Sequence, residues 1–414
     1  PNTDAAMMLA LAYTLVNEGL YDKNFISAHT VGLEKFIPYL NGDKDGQPKN
    51  AEWAAQITGV SAQTIINLAR RMAECRTMIS TAWSLQRSDH GEQPIWLTVI
   101  LASLLGQIGL PGGGFGIGYG CENGIGNPVK IFNWPALSQG TNSVEEFIPV
   151  ARIADMLLHP GTKFDYDGEK LSYPDIRLLY WAGGNPFHHH QDLNRLVDAF
   201  RQPECVIVNE IWWTATARHA DIVFPITTVL ERNDLMMTKW EPMATPMHKA
   251  IEPVGESRND YDVFSGLAQR LGFFEEFTEG RNEEEWLRHL WDQARQRAGQ
   301  ANFELPDFDT FWHEGPKEIL KAEDKTVLLE AYRKDPQNNP LATPSGKIEI
   351  FSDVIAGFGY DDCPGHPVWM EPFEWLGGKT VKKFPLHIIS NQPSTRLHSQ
   401  LDSGSISKGS KIKD

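Results

Sequence analysis

The sequence predicts an α/β protein with mostly parallel sheets that carry helices on both faces. The first observation is a regular alternation of strand-like and helix-like segments between residues 175 and 227. The second is a set of amphipathic helical segments before and after this stretch. Such alternation is typical of βαβ units, in which a helix returns the chain so that the next strand runs parallel to the last. In chain order the alternating segments are "DIRLLYWA", "HHQDLNRLVDAF", "ECVIVNE", "TATARHA" and "DIVFPIT".

The composition indicates a globular protein and restricts its partners. The chain has 414 residues, of which 41% are apolar and 22% charged, and its formal net charge is −16. This charge disfavours nucleic acid and anionic membrane surfaces as partners, because both reward clustered Lys and Arg. The longest apolar run, residues 95–105, is too short for membrane insertion. The four cysteines stand far apart in the sequence, so they indicate neither a zinc ribbon nor an iron–sulfur cluster.

The segments before the alternation are mainly helical. "TDAAMMLALAYTLVNEGL" predicts a helix capped by Thr3 or Asp4, and "AEWAAQITGVSAQTIINLARRMAE" predicts two more helices. "RTMISTAW" predicts a buried strand, and "PIWLTVILASLLGQIG" predicts a core helix that ends before Pro111. The chain from Phe115 to about Phe147 is rich in Gly, Asn and Pro without periodicity, which predicts a long irregular loop.

Composition shifts divide the chain into five parts. Two amphipathic helices, "DYDVFSGLAQRLG" and "NEEEWLRHLWDQARQRAG", follow the alternation, and "GKIEIFS" and "FPLHIIS" predict late strands. The chain begins at Pro1 rather than at Met, so we expect it to be an internal part of a longer protein. The predicted parts are an α/β region at 1–117, the irregular loop at 118–150, a second α/β region at 151–300, an irregular and helical connection at 301–383 and the start of a last domain at 384–414.

Three consecutive histidines, His188, His189 and His190, follow a Gly-Gly pair at the end of a predicted strand. Neighbouring residues on a helix do not face each other, so the three cannot form one metal-binding face, and no H-E-x-x-H sequence is present. The plainer interpretation is that they are polar residues that open a helix. In open α/β sheets, however, this crevice binds nucleotides, with phosphates at the helix N-terminus. Asn185 and His189 are therefore candidate donors to a ligand.

Polar residues also follow the next two predicted strands. Asn209 and Glu210 end the second strand, where an acidic residue can accept hydrogen bonds from ribose hydroxyls or from a guanine edge. Arg232 follows the third strand within "LERND". Each residue taken alone is better explained as a surface charge or a strand-end cap. Because the carboxyl ends of parallel strands meet at one edge of a sheet, the three sets together indicate one shared ligand and a dinucleotide-binding-like fold.

The glycine-rich segment "PGGGFGIGYG" follows a predicted helix rather than a strand. It therefore lacks the strand–turn–helix context of a dinucleotide fingerprint, which disfavours a nicotinamide-dependent dehydrogenase. The sequence contains no G-x-S-x-G and no Walker A motif, which disfavours hydrolases of the elbow type and P-loop proteins.

Taken in order, six motifs resemble one family across essentially the whole chain. The family is that of the dimethyl sulfoxide, trimethylamine N-oxide and biotin sulfoxide reductases, which are molybdopterin oxidoreductases. The stretches around residues 183–196 and 392–402 are most similar to the biotin sulfoxide reductase branch. The six motifs are "AWSLQRSDHGEQ", "LLGQIGLPGGGFG", "YWAGGNPFHHHQDLNRL", "TARHADIVFPITTVLERND", "GYDDCPGHPVWMEP" and "RLHSQLD".

The resemblance implies a bis(molybdopterin guanine dinucleotide) molybdenum cofactor, no iron–sulfur cluster, and a last domain that begins a β-barrel. It also implies that Asp260 accepts hydrogen bonds from a guanine base, whereas the local pattern alone explains Asp260 as the N-cap of a helix. Arginines are expected to pair with the phosphates of the cofactor. The residues that match the family's cofactor contacts are Trp83, Ser84, Arg87, Asn185, His189, Asn209, Glu210, Arg232, Asp260, Gln392, Arg396 and His398.

The family reaction is oxygen-atom transfer from a small S-oxide or N-oxide, with electrons supplied by a donor protein or another reductant. The serine that binds molybdenum in this family and the aromatic residues that contact substrate are expected upstream of Pro1, so no metal ligand is expected in this chain. Gln392 stands where some relatives carry His, and "MMTKWEPMATPM" lacks the family's common Gly-Asp-Tyr pattern. Both departures bear on which substrate the protein uses and not on which cofactor it binds. We expect the protein to be bacterial and to lie in the periplasm rather than the cytoplasm. A nitrate reductase, a formate dehydrogenase and an inactive binding protein remain alternatives.

Overall fold

The computed structural model describes residues 1–118, 132–239, 243–318, 327–389 and 404–409. It is a mixed α/β protein with many helices and small sheets, which confirms the predicted mixture of helices and strands. No helix within the described ranges is long and apolar enough to cross a membrane. The described residues belong to two compact units, one within Pro1–Val129 and Ala322–Ile389, the other within Lys130–Lys321 and Ser390–Asp414.

Helices and short strands occur along the whole of the described chain. In chain order, those up to residue 225 are α1 (Asp4–Asn17), α2 (Lys23–His29), β1 (Thr30–Val31), α3 (Leu33–Leu40), α4 (Ala51–Thr58), α5 (Ala62–Glu74), β2 (Met78–Thr81), α6 (Glu92–Leu104), β3 (Gly114–Ile117), α7 (Ile153–Leu158), β4 (Lys163–Tyr166), β5 (Glu169–Ser172), β6 (Leu178–Ala182), α8 (Pro186–His189), α9 (Leu193–Phe200), β7 (Cys205–Glu210) and β8 (Ile222–Pro225). Those after residue 225 are β9 (Asp234–Met236), β10 (Met243–Met247), α10 (Asp260–Leu271), α11 (Phe274–Thr278), α12 (Glu283–Gln300), α13 (Phe308–Glu314), β11 (Lys317–Glu318), α14 (Glu330–Lys334), β12 (Ile348–Glu349), α15 (Asp353–Phe358) and α16 (Ser405–Gly409).

The first unit is built around α1, which is apolar on nearly every side and packs against α4, α5 and α6. A helix that is apolar all round belongs in a core, and side chains such as Leu9 and Leu101 are almost fully buried. Burial of each stabilises the fold by about 1.5–3 kcal/mol. The turn between α4 and α5 is defined by Gly59, which has a φ of +73°, and by Ser61, whose hydroxyl caps α5. Two parallel strand pairs, β1 with β12 and β2 with β3, complete this unit.

The second unit contains a parallel sheet with the order β6-β7-β8. Helix α9 covers it with Leu196 and Phe200, which share a core with Val206 and Val208. A separate core forms where α12 packs on α13 and Trp291 stacks on Phe311. The remaining sheets are antiparallel: β4 pairs with β5, and β10 lies between β9 and β11.

The predicted helix at 189–200 is wrong in its extent. Helix α8 begins earlier, at Pro186, and ends at His189, after which α9 starts anew at Leu193. The break occurs because Asp192 adopts a φ of +48° and its carboxylate accepts from Arg195 N at 3.2 Å, which caps a new helix. The predicted helix "TATARHA" is reduced to a 3-10 turn at Ala217–His219.

Three predicted extended or irregular segments also need correction. The predicted loop from Phe115 begins as a strand, because Gly114–Ile117 pairs in register with Met78–Thr81. That partner strand, β2, is only half-buried, although the sequence predicts a buried one. Residues 384–389 of the predicted late strand "FPLHIIS" are not in a strand. Leu386 is 86% exposed, and this segment has no partner strand among the described residues.

Candidate functional site

The three parallel strands β6, β7 and β8 bring the predicted polar residues to one edge. Their register places Ala182 level with Asn209, and Asn209 level with Phe224. Beyond Ala182 the chain turns through Gly183 and Gly184, whose φ angles are +78° and +72°. These angles favour glycine, because a Cβ disfavours the left-handed region. The turn delivers Asn185 to the same edge.

Asn209 is the centre of the contacts at this edge. Its side chain is 3% exposed, accepts from Tyr180 Oη at 2.9 Å and donates to Asp260 Oδ1 at 2.8 Å. Burial raises the pKa of Tyr180, and the charge of Asp260 adds to this effect. Tyr180 is therefore a neutral donor at physiological pH. The structure brings the predicted pair Asn209 and Asp260 into direct contact.

Asp260 does not cap its helix. The N-cap of α10 is Asn259, and Asp260 is the first helical residue. Asn259 makes no side-chain cap; it accepts from Thr227 Oγ1 at 2.7 Å and donates to Glu283 Oε2. The interpretation of Asp260 as an N-cap is therefore wrong. Its carboxylate lies in the first turn of α10, where the helix dipole favours negative charge.

Asn185 and the histidines lie at the end of β6. Asn185 is 4% exposed, and its side-chain oxygen accepts from the buried Thr216 hydroxyl. His189 is the last residue of α8 and is half-buried, whereas His188 is exposed. No group of three or more His, Cys, Asp or Glu side chains in the described part of the chain is arranged to hold a metal ion.

Glu210 and Arg232 follow the other two strands and have internal partners. Glu210 accepts from Ile211 N and from Thr214 Oγ1, both at 2.9 Å, so its carboxylate holds the loop after β7. Arg232 donates from Nη1 to Thr227 O and from Nε to Asp234 Oδ2, both at 3.2 Å. The predicted contacts with ribose and phosphate remain predictions for these two residues.

The edge has features of a cradle for a ligand. Trp181 Nε1 is buried and has no hydrogen-bond partner among the described residues. A Cβ added to Gly184 would lie 3.7 Å from that nitrogen, and one added to Gly183 would meet no atom within 4 Å. Buried donors are normally satisfied, so the orphaned indole N–H indicates a missing acceptor.

The predicted residues of the first unit follow β2. Trp83, Ser84 and Arg87 belong to a 3-10 helix at Trp83–Arg87, and all three are exposed. A Cβ on Gly118 would lie 2.8 Å from Trp83 Cε3, so Gly118 lets the backbone pass close to the indole. Thr81 Oγ1 is buried and has no hydrogen-bond partner among the described residues. Gln392, Arg396 and His398 lie outside the described residues.

Sequence reasoning missed four residues that organise the edge in the second unit. Tyr180 carried a weak signal, because it stands two residues before Ala182 on the same strand. Asn259 immediately precedes a predicted residue, and Thr216 and Thr227 flank the third strand. Their roles depend on contacts between residues 29 to 32 positions apart, which no local pattern shows.

The chain is similar to one protein family model and to several reductases. The model of the molybdopterin oxidoreductase family matches residues 1–270. The chain is 49% identical to a biotin sulfoxide reductase of Cereibacter sphaeroides over 99% of the chain and 55% of that protein. It is 48% identical to a dimethyl sulfoxide/trimethylamine N-oxide reductase of Rhodobacter capsulatus, over 99% of the chain and 51% of that protein. The chain thus spans about half the length of these relatives.

Two further comparisons complete these results. The chain is 50% identical to a trimethylamine-N-oxide reductase of Haemophilus influenzae, over 96% of the chain and 50% of that protein. The solved structure of acetylene hydratase from Pelobacter acetylenicus matches with a TM-score of 0.61, covering 98% of this chain and 56% of that one. At 20% identity this last likeness shows the fold alone.

Proposed function

Because this chain belongs to the molybdopterin oxidoreductase family, we propose that it is the cofactor-binding part of a reductase that removes an oxygen atom from an S-oxide or N-oxide. The observation that carries the proposal is an identity of 49% to a biotin sulfoxide reductase over 99% of the chain. The candidate substrates are biotin sulfoxide, dimethyl sulfoxide and trimethylamine N-oxide, which the relatives' names contain, and methionine sulfoxide, which has the same functional group.

We propose that the family's molybdenum–molybdopterin cofactor is present here as the bis(guanine dinucleotide) form, without an iron–sulfur cluster. The orphaned Trp181 Nε1 and the open glycine turn beside it fit an acceptor-rich ligand at the edge of the sheet. When bound, this cofactor supplies the two-electron oxygen-atom chemistry. The chain supplies binding and orientation. The residues proposed to hold the cofactor are Trp83, Ser84, Arg87, Asn185, His189, Asn209, Glu210, Arg232, Asp260, Gln392, Arg396 and His398.

The proposed contacts divide by chemistry. Asp260 accepts from the N1–H and N2–H₂ donors of guanine, and Asn209 orients its carboxylate with the 2.8 Å hydrogen bond. Arg87 and Arg232 provide positive charge for phosphates, which cannot be buried without donors. Asn185, whose oxygen accepts from Thr216, is proposed to contact the cofactor from the end of β6.

The rest of the protein is proposed from the same family membership. An electron donor protein or another reductant supplies electrons, and the enzyme acts in a bacterium, in the periplasm rather than the cytoplasm. We also propose the division predicted from the sequence, with two α/β regions at 1–117 and 151–300 that carry helices on both faces of their parallel strands. Residues 384–414 begin a separate domain, for which a β-barrel is the proposed fold.

The test uses the purified full-length protein. We expect molybdenum, GMP on acid hydrolysis, no iron, and reduction of at least one S-oxide or N-oxide by a reduced viologen dye. Nitrate reduction or formate oxidation in place of S-oxide and N-oxide reduction would favour the nitrate reductase or formate dehydrogenase type. AMP in place of GMP, or stoichiometric iron, would overturn the proposed cofactor. Dependence on a nicotinamide alone would overturn the whole proposal.

A further inference from the structure

Glu231 is a buried carboxylate in the loop after β8, immediately before Arg232, and it is 5% exposed. We propose that Glu231 is a positioning residue for the nucleotide end of the cofactor, because it joins the two loops that carry Arg232 and Asp260. This inference rests on the proposed function and extends it to a residue that touches neither guanine nor phosphate. According to this proposal, the separation of Arg232 and Asp260 depends on the buried charge of Glu231.

Three donor groups converge on this carboxylate. Oε2 accepts from the backbone N–H and the hydroxyl of Thr228, both at 2.7 Å. Oε1 accepts from Val254 N at 2.7 Å, whereas the Ser257 hydroxyl, 3.4 Å away, donates more closely to Val254 O at 2.8 Å. Hydrogen bonds from Thr228 and Val254 lower the pKa of Glu231 against the opposing effect of burial. Glu231 therefore remains ionised at neutral pH, and its charge is spread over both loops.

The two loops are also joined by hydrogen bonds between neutral groups. The chain is without helix or strand between β8 and β9 and between β10 and α10, apart from one bridge at Ile226 and Arg258. Backbone hydrogen bonds form at Leu230 O, at Thr227 N and at Pro225 O, and Lys249 N donates to Asn233 Oδ1 at 2.9 Å. Glu231 adds the charge-assisted bonds, which are about twice as strong as neutral ones. Loss of the carboxylate would leave the partly buried donors of Thr228 and Val254 without this acceptor.

The loops joined by Glu231 lead directly to the recognition residues. Arg232 donates to Thr227 O, and the Thr227 hydroxyl donates to Asn259, the residue before Asp260. A shift of one loop against the other therefore changes the separation of Arg232 and Asp260. Because guanine and phosphate belong to one ligand, their protein contacts must keep a fixed separation to act together.

The test uses Glu231→Gln in the full-length enzyme. Glutamine keeps the size of the side chain but turns an N–H₂ toward donors. We expect molybdenum and GMP per polypeptide to fall, and the retained cofactor to dissociate about 10 times faster during dialysis, by analogy with the loss of an outer residue that orients a ligand-binding group. Thr228→Val, which removes one donor and keeps the charge, should give a smaller change in the same direction.

The matched control is Asp307→Ala. Asp307 accepts from the backbone N–H and the hydroxyl of Thr310, the same pair of donor groups as on Glu231 Oε2, but it caps α13. We expect this variant to lower thermal stability and to leave cofactor dissociation unchanged. If it releases cofactor as fast as Glu231→Gln, general destabilisation explains both, and the inference is overturned.

A double-mutant cycle separates this inference from the proposed function. If Glu231 acts through Arg232, Glu231→Gln should have little further effect on cofactor dissociation in an Arg232→Ala background. Additive effects would overturn the positioning role while leaving the proposed function intact. No effect of Arg232→Ala and Asp260→Asn on cofactor content would instead overturn the proposed contacts. Should Glu231→Gln fail to fold, the same cycle with Thr228→Val decides the question.

Discussion

The side-chain amide of Asn209 donates to Asp260 Oδ1 at 2.8 Å and so ties the end of β7 to the first turn of α10. Asn209 is held in turn by the Tyr180 hydroxyl, because its oxygen accepts at 2.9 Å. One Asp260 oxygen is thus occupied, and the carboxylate is fixed in orientation. Lone pairs remain on Asp260 for a pair of neighbouring donors such as those of guanine.

The first prediction is that Asp260→Asn reduces the GMP content of the full-length enzyme. An amide presents one acceptor and one donor, so it opposes one of the two guanine donors, and each charge-assisted hydrogen bond contributes about 1.5–3 kcal/mol. Because Asn259 occupies the N-cap, helix α10 should keep its start. The measurement is GMP per polypeptide after acid hydrolysis. Asp262→Asn, in the same helical turn, is the control and should keep its GMP; unchanged GMP in Asp260→Asn contradicts guanine recognition.

The second prediction separates the three histidines. His189→Ala should lower cofactor content, because His189 matches a family contact and lies half-buried at the end of α8. His188→Ala should leave it unchanged, since His188 is exposed, and His190→Ala should affect thermal stability more than cofactor content. The measurement is molybdenum per polypeptide for each variant. Equal losses in all three variants, or zinc in the purified protein, would contradict the assignment.

The strands that form the candidate site are predictable from the sequence, because β6, β7 and β8 are mainly apolar runs and β7 ends in the polar pair Asn209 and Glu210. Asn209 and Asp260 are each predicted as site residues, but their contact is not. It joins residues 51 positions apart, and only the folded sheet and α10 bring them together. Tyr180 is missed as well, because its contact with Asn209 also joins distant residues. In addition, a tyrosine in a strand is ordinarily a packing residue.

Other elements are missed because their local patterns are weak. Helix α8 is four residues long, and its separation from α9 depends on the conformation of Asp192. The hairpin of β4 and β5 is largely exposed and contains charged residues at several positions, so no apolar alternation marks it. Strand β3 contains two glycines, which disfavour strands, and it forms because β2 provides a parallel partner.

The third prediction concerns the core of α12. Trp291 is fully buried, stacks on Phe311 with ring centroids 3.7 Å apart, and donates to Pro306 O at 2.9 Å. Trp291→Ala should lower the free energy of unfolding by about 3–5 kcal/mol, because it leaves a large cavity and an unpaired carbonyl. The measurement is urea unfolding of the full-length protein. Trp213→Ala is the matched control: Trp213 is 70% exposed, so its loss should change stability by less than about 0.5 kcal/mol. Similar losses in both variants would contradict this account of the core.

The fourth prediction is a dependence of stability on pH through His366 in the first unit. His366 is 4% exposed and lies among Phe36, Tyr39 and Phe351. Nδ1 lies 3.0 Å from Pro367 O, and Nε2 lies 3.1 Å from Lys44 Nζ. The carbonyl needs a donor and the ammonium needs an acceptor, which together fit a neutral ring protonated at Nδ1.

Burial lowers the pKa of His366 from its ordinary value of 6.5, and the positive charge of Lys44 adds to the effect. Between this lowered pKa and 6.5 the unfolded chain binds a proton that the folded chain does not. Stability from this group is therefore fully present above pH 6.5 and is lost as the pH falls toward the folded pKa. We expect the urea midpoint to decrease across this window, and the decrease to be smaller in His366→Asn, whatever the absolute stability of that variant. His159→Asn, at an exposed position, should keep the pH slope of the parent protein. Equal slopes in the parent and His366→Asn would show that the carboxylates alone produce the acid sensitivity.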